Sequence, residues 1–230
     1  MNFKYYFFDL DNCILHFIEK DKYFDRIFAL ILKKFLGFIP KSEERYKVWQ
    51  SSNLNQYLHD IWGIEKFDEF WKYYRTFDVQ NRKKLIEIGK IFLDPVGIDV
   101  IKKLRKQGKK IALITNSPRY ITDLLCEHFN LSQIFDEILS VDYEKHPSLA
   151  KPSPKGISYV LKDLCSSKQI QICKFESIMI GDSKEDIIAA KKAGIYSCII
   201  INKRRKDIEF QEWKYKPNFI IHNFYELFDL

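Results

Sequence analysis

Residues 5–13, Tyr5-Tyr6-Phe7-Phe8-Asp9-Leu10-Asp11-Asn12-Cys13, decide how this chain reads. An apolar run of strand length ends in two carboxylates placed two residues apart. Burying an unpaired carboxylate costs on the order of several kcal/mol. Such a pair at a strand end therefore stays wet, binds a cation or does chemistry, and the segments further along decide among these.

Beyond Asp94, short β-branched runs alternate with amphipathic helical stretches. Strands are expected over Lys110 to Thr115, Ile138 to Val141, Ser177 to Ile180, Ser197 to Ile201 and Phe219 to Ile221, and helices over Arg119 to Phe129, Lys155 to Leu164 and Lys184 to Ala193. Alternation of this kind, with continuous apolar runs on the strands, implies an α/β protein with a parallel sheet covered on both faces. The strand at residues 4–8 belongs to that sheet by composition.

Between that strand and Asp94 the periodicity is helical throughout. Tyr23, Ile27, Leu30, Ile31 and Phe35 give helical spacing over 22–36, and 43–58, 65–77 and 81–92 read the same way, with turns at Gly37-Phe38-Ile39-Pro40 and Trp62-Gly63. A helical module of about 75 residues is thus inserted after the first strand, a size that suits a small bundle. Residues 16–92 hold 17 of the chain's 36 aromatic side chains, which at helical spacing form a core. The expected domains are 1–15 with 93–230, and 16–92.

Composition excludes several classes. No stretch approaches the ~18 apolar residues of a membrane span, and the amino terminus lacks the pattern of a secretory signal, so a cytoplasmic protein is expected. Five cysteines, Cys13, Cys126, Cys165, Cys173 and Cys198, with no C-x-x-C spacing, point to reduced thiols rather than a disulfide framework or a zinc site. The net charge of +7 is spread along the chain. A nucleic-acid binder concentrates it in a stripe or tail, so no nucleic-acid partner is expected.

Other strands also end in polar residues. Ile111 to Ile114 runs into Thr115-Asn116-Ser117-Pro118, Ser177 to Ile180 runs into Gly181-Asp182-Ser183 ahead of Lys184-Glu185-Asp186, and Lys151 precedes a helix start. Open α/β sheets bind ligands at the carboxyl ends of their strands, and all four segments face that edge. In this order and spacing the chain resembles the haloacid dehalogenase (HAD) superfamily, in the branch with a helical cap inserted after the first strand. Asp9-Leu10-Asp11-Asn12-Cys13 corresponds to the first motif, Thr115-Asn116 to the second, Lys151 to the third and Gly181 through Asp186 to the fourth.

The resemblance implies a Rossmann-like doubly wound parallel sheet with an α-helical cap, with the strands bearing Asp9 and Asp182 side by side. It also implies a Mg²⁺-dependent phosphatase for a small phosphomonoester, a nucleotide, sugar or organic acid phosphate. Asp9 would be the nucleophile that forms an aspartyl-phosphate, Asp11 the acid and base, and Lys151 the balancing charge. Thr115 and the Asn116 backbone amide would bind the phosphoryl oxygens, and Asp9, Asp11 (through its carbonyl), Asp182 and Asp186 would form the metal site. The cap would close over the phosphate and select the leaving group. A hard cation held by oxygen ligands suits a site where a carboxylate must meet an anionic ester.

Where the common first motif has Gly then Thr, this chain has Asn12 and Cys13, which alters the local backbone and loses a strong hydroxyl donor. Cys13 has no histidine placed by sequence to make it a nucleophile. His16 and His146 read as surface or core residues, and Arg26, Arg45 and Arg75 are candidate anion contacts in the cap. The aspartate at position 11 separates the chain from dehalogenases, which need no leaving-group acid. The alternatives are a phosphomutase of the same superfamily and a non-catalytic binding domain.

Overall fold

A computed structural model describes residues 3–18, 20–50, 53–141, 145–165, 169–201 and 212–230. The chain divides into two compact units, residues 17–91 and residues 1–16 with 92–230.

The larger unit is built on a six-stranded sheet in the order β5-β4-β1-β6-β7-β8, parallel throughout. Its strands are β1 (Tyr5–Phe8), β4 (Lys110–Pro118), β5 (Glu137–Val141), β6 (Ser177–Gly181), β7 (Tyr196–Ile200) and β8 (Phe219–Ile221). β1 lies at the centre, with Phe8 opposite Leu113 on one side and Ile180 on the other. All four β1 residues are buried, because a parallel sheet has no solvent face.

Strand alternation sends Tyr5 and Phe7 to one face, where they pack with Ala112, Met179 and residues of α7 (Lys155–Leu164) and α9 (Lys184–Ala193). On the other face Phe8 meets Phe224, which also closes on Gly97 of α5 (Pro95–Lys106). The sheet is therefore covered on both sides, as a doubly wound α/β fold requires. Among the described residues, the remaining α-helices of this unit are α6 (Arg119–Phe129) and α8 (Ile170–Phe175).

The smaller unit holds α1 (Lys20–Leu36), α2 (Ser42–Gln50), α3 (Leu54–Trp62) and α4 (Phe67–Glu87). Its aromatic residues are core: Phe70 meets Phe28 and Phe35 at centroid distances of 5.9 and 5.1 Å. α4 is one helix where the sequence reads as two, because the apparent break is satisfied internally. Asp78 accepts from Arg82 Nε at 2.9 Å one turn on and from the Tyr23 hydroxyl at 2.7 Å, and the Arg82 guanidinium lies 5.4–5.6 Å from the rings of Phe17, Tyr23 and Phe24. The stretch 43–58 divides between α2 and α3, with 51 and 52 outside the described residues.

Two three-residue strands, β2 (Leu15–Phe17) and β3 (Ile91–Leu93), pair with each other. β3 replaces the end of the helix expected to reach residue 92. Asp94 follows it as the N-cap of α5, accepting from the backbone of Val96 and Gly97 and from His16 Nε2 at 2.9 Å. That contact gives His16 a structural partner.

One cysteine expectation is corrected. Cys165 and Cys173 form a disulfide across eight residues, because the end of α7 and the short α8 bring their Cα atoms to 6.2 Å. Cys13, Cys126 and Cys198 remain free. No described helix is long and apolar enough to cross a membrane.

Candidate active site

The site lies where the strand order reverses, with β4 and β5 on one side of β1 and β6 to β8 on the other. Asp9 leaves the end of β1 with its backbone N–H bonded to Ile180 of β6 at 2.9 Å. Asp182 follows β6, and Asp186 occupies the first turn of α9. Asp9, Asp182 and Asp186 are all buried and each offers an oxygen within 4.8 Å of the others.

Lys151 enters this cluster from the segment before α7. Its Nζ donates to Asp9 Oδ1 at 2.5 Å, Asp186 Oδ1 at 2.6 Å and the Ile114 carbonyl at 2.8 Å. Its backbone is held from β4: Asn116 Nδ2 donates to the Lys151 carbonyl and Asn116 Oδ1 accepts from the Lys151 N–H, each at 2.8 Å. The Asn116 side chain thus fixes the lysine. Thr115 is buried and its Oγ1 accepts from Ser117 N–H at 2.9 Å.

Asp186 is seated by two devices. Its Oδ2 accepts from the backbone and hydroxyl of Ser183, the N-cap residue, at 3.0 and 2.6 Å. Gly181 provides the space, since a Cβ there would sit 2.2 Å from Asp186 Cγ.

Asp11 stands apart from the cluster of three. It begins a tight turn in which Asn12 takes φ of 60° and its N–H donates to Leu15 at 2.8 Å. Asparagine tolerates this left-handed conformation better than most residues, so it stands in for the commoner glycine. Cys13 is buried with its Sγ turned to the Ile180 carbonyl. Burial, with Asp9, Asp182 and Asp186 nearby, pushes its thiol well above the ordinary value, which leaves no thiolate nucleophile. The Asp11 carboxylate accepts a hydrogen bond from the Ser117 hydroxyl, a contact the motif reading misses. Its signal is its place alone, two residues past Thr115 at the carboxyl end of the strand.

The electrostatics are unbalanced. Among the described residues, three buried carboxylates lie beside the Lys151 ammonium. Burial most strongly raises the Asp9 carboxyl, Lys151 pulls it back, and Asp186, Asp182 and Asp11 raise it again, leaving it pushed up to about 8. Burial alone would lower Lys151, but Asp186 and Asp9 raise it above the ordinary lysine value, so it stays charged. Oxygen donors with no histidine or cysteine among them and an excess of negative charge fit a hard divalent cation such as Mg²⁺.

Among the arginines of the helical unit, Arg45 is not an available anion contact. It is buried, grips both oxygens of Asp25 at 2.8 and 2.5 Å and donates to the Pro40 carbonyl. Arg26 and Arg75 are exposed, as is His146.

These features define a class: doubly wound α/β proteins with a polar site at the carboxyl ends of adjacent strands, where the strand order switches. The chain belongs to the haloacid dehalogenase-like hydrolases, whose family model matches residues 6–200. It is similar to pyrophosphatase PpaX of Bacillus cereus, at 24% identity over 229 residues, covering 96% of this chain and 92% of the relative. Among solved structures it resembles CbbY of Rhodobacter sphaeroides in complex with phosphate (TM-score 0.67, 19% identity, 98% of this chain and 96% of that one). Another is YfnB of Bacillus subtilis bound to magnesium (TM-score 0.64, 16% identity, 100% and 98%). The protein is therefore an enzyme, a hydrolase of this family.

Proposed function

We propose that the protein is a Mg²⁺-dependent phosphatase that hydrolyses a small phosphomonoester through an aspartyl-phosphate on Asp9. The observation that carries this reading is the buried cluster of Asp9, Asp182 and Asp186 beside the Lys151 ammonium, which among the described residues gives an excess of negative charge. The names of the relatives, a pyrophosphatase and proteins solved with phosphate or magnesium, support it.

Asp9, Asp182 and the Asp11 backbone carbonyl would hold the ion, with Asp186 beside them. When bound, the ion supplies positive charge that lets a carboxylate approach an anionic phosphate. The remaining work falls to side chains. Lys151 engages Asp9 Oδ1, so Oδ2 is the oxygen that attacks phosphorus. The leaving oxygen takes a proton from Asp11. Asp11, now a carboxylate, then takes a proton from the water that attacks the phosphoryl group and frees Asp9. Thr115 Oγ1 and the Asn116 N–H bind phosphoryl oxygens, and Lys151 balances their charge. Residues 16–92 serve as the family's cap and contribute substrate selection.

The test is a panel of nucleoside monophosphates, sugar phosphates, phosphoglycolate, pyrophosphate and p-nitrophenyl phosphate, with wild type beside Asp9→Asn, in Mg²⁺ and in chelator. Activity on at least one member that is lost in chelator and falls at least about a thousandfold in the variant supports the reading. Wild type inactive on every member, or a variant as active as wild type, overturns it.

A further inference from the structure

We infer that Ser117 is a positioning residue that holds the Asp11 carboxyl in the orientation for proton transfer. This rests on the phosphatase reading above and extends it to a residue outside the four motifs.

Three observations carry it. First, the Ser117 hydroxyl donates to Asp11 Oδ2 across 106 residues of sequence. Second, Ser117 sits on a departure from regular pairing. β4 is in register with β5 through Ile114 opposite Leu139, but Pro118 then stands opposite Val141, so four residues of β4 advance against two of β5. Bulges of this kind re-aim side chains beside active sites. Third, the residue is tied down on both sides, its N–H to Thr115 Oγ1 at 2.9 Å and its carbonyl to Thr122 Oγ1 at 3.4 Å.

The chemistry of the donor fits the task. A carboxyl that gives a proton to a leaving oxygen and later takes one from water must keep a single oxygen facing the reacting atoms. With Oδ2 held by Ser117, Oδ1 is the oxygen assigned to carry the proton. A hydroxyl suits this better than an ammonium or a backbone N–H, because it both donates and accepts and can rotate to match either protonation state. As the ester P–O bond breaks, its electron pair goes to the leaving oxygen and the proton comes from Asp11 Oδ1. The Ser117 proton stays on its oxygen.

The readout is the leaving group. Under the reading, kcat/KM reports events up to phosphorylation of Asp9. For Ser117→Ala, kcat/KM on phenyl phosphate, whose leaving oxygen needs a proton, is expected to fall about 10- to 100-fold, a part of what a general acid contributes. On 2,4-dinitrophenyl phosphate, which needs none, it should stay within about threefold. Ser117→Thr restores the phenyl phosphate rate. If the alanine variant does not fold, Ser117→Cys keeps the shape with a weaker donor and should show the same pattern, reduced. Equal losses on both substrates would make Ser117 merely structural, and no loss on either would remove it from the reaction; both overturn the inference while the phosphatase reading stands. Wild type inactive on both esters ends the phosphatase reading, and the inference with it.

Discussion

Replacing Lys151 with methionine removes the ammonium that Asp9 and Asp186 share while keeping an unbranched side chain of similar length. Three hydrogen bonds go with it, to Asp9, Asp186 and the Ile114 carbonyl. Breaking a buried ion pair by deleting one partner costs about 3–5 kcal/mol, a large share of the roughly 5–15 kcal/mol that holds a domain folded. The cost depends on pH, and its sign follows from Asp9. With the lysine present and no metal, the Asp9 carboxyl is raised from 3.8 to about 8. Between those values the folded state keeps a proton that the unfolded chain has released, so stability falls as pH rises through the window and levels off above it. Without the lysine the Asp9 carboxyl rises further, so it keeps its proton to higher pH and the fall continues above about 8, where wild type levels off. Lys151 is itself raised, so its own contribution is intact across this range and is lost only at high pH. Urea denaturation in chelator should therefore show Lys151→Met about 3–5 kcal/mol less stable than wild type at pH 5–7, with the deficit growing above about pH 8. A deficit under about 1 kcal/mol at pH 7, or one that does not grow between pH 7 and pH 9, would refute the charge balance assigned to this cluster.

Gly181→Ala should drive Asp186 from its seat, since the added carbon lies 2.2 Å from Cγ. A stability loss of about 1–3 kcal/mol by denaturation and a fall in kcat of at least tenfold are expected; wild-type kcat would show that the placement of Asp186 is unimportant. Cys165→Ser opens the disulfide to Cys173 eight residues on, which the loop-entropy relation puts at about 2–3 kcal/mol. Its Tm should drop and match that of reduced wild type, and a Tm indifferent to both reductant and substitution would show that the bond does not form in solution.

The sheet was legible because its strands are continuous apolar runs. Residues 5–8, 111–114 and 178–180 differ from everything beside them, and burial on both faces requires that. β2 and β3 were not, because Leu15-His16-Phe17 and Ile91-Phe92-Leu93 are too short to show a period and gain meaning only by pairing with each other. Asp78-Val79-Gln80 resembles a helix break. Tyr23, 55 residues earlier, and Arg82 one turn on make a buried aspartate acceptable there. The motif carboxylates announced a site by being poor core material, whereas the side-chain grip of Asn116 on Lys151 and the contact of Ser117 with Asp11 join residues 35 and 106 apart. Arg45 illustrates the converse. An arginine in a polar stretch invites an anion, yet its partner is Asp25, on the neighbouring helix.

The central place of β1 has a consequence for the newborn chain. Its partners, β4 and β6, begin about 100 and 170 residues later, so at the usual pace of synthesis the strand waits on the order of 10 s for its first neighbour. Meanwhile the helical insertion, rich in local contacts, can form by itself, but Tyr5-Tyr6-Phe7-Phe8 cannot, and an unpaired aromatic strand is an aggregation hazard. It is fenced by Lys4 on one side and by Asp9 and Asp11 on the other, charges of the kind that keep such segments from pairing with other chains. The two aspartates thus serve the chain before a site exists, as gatekeepers for the strand that later delivers them to it.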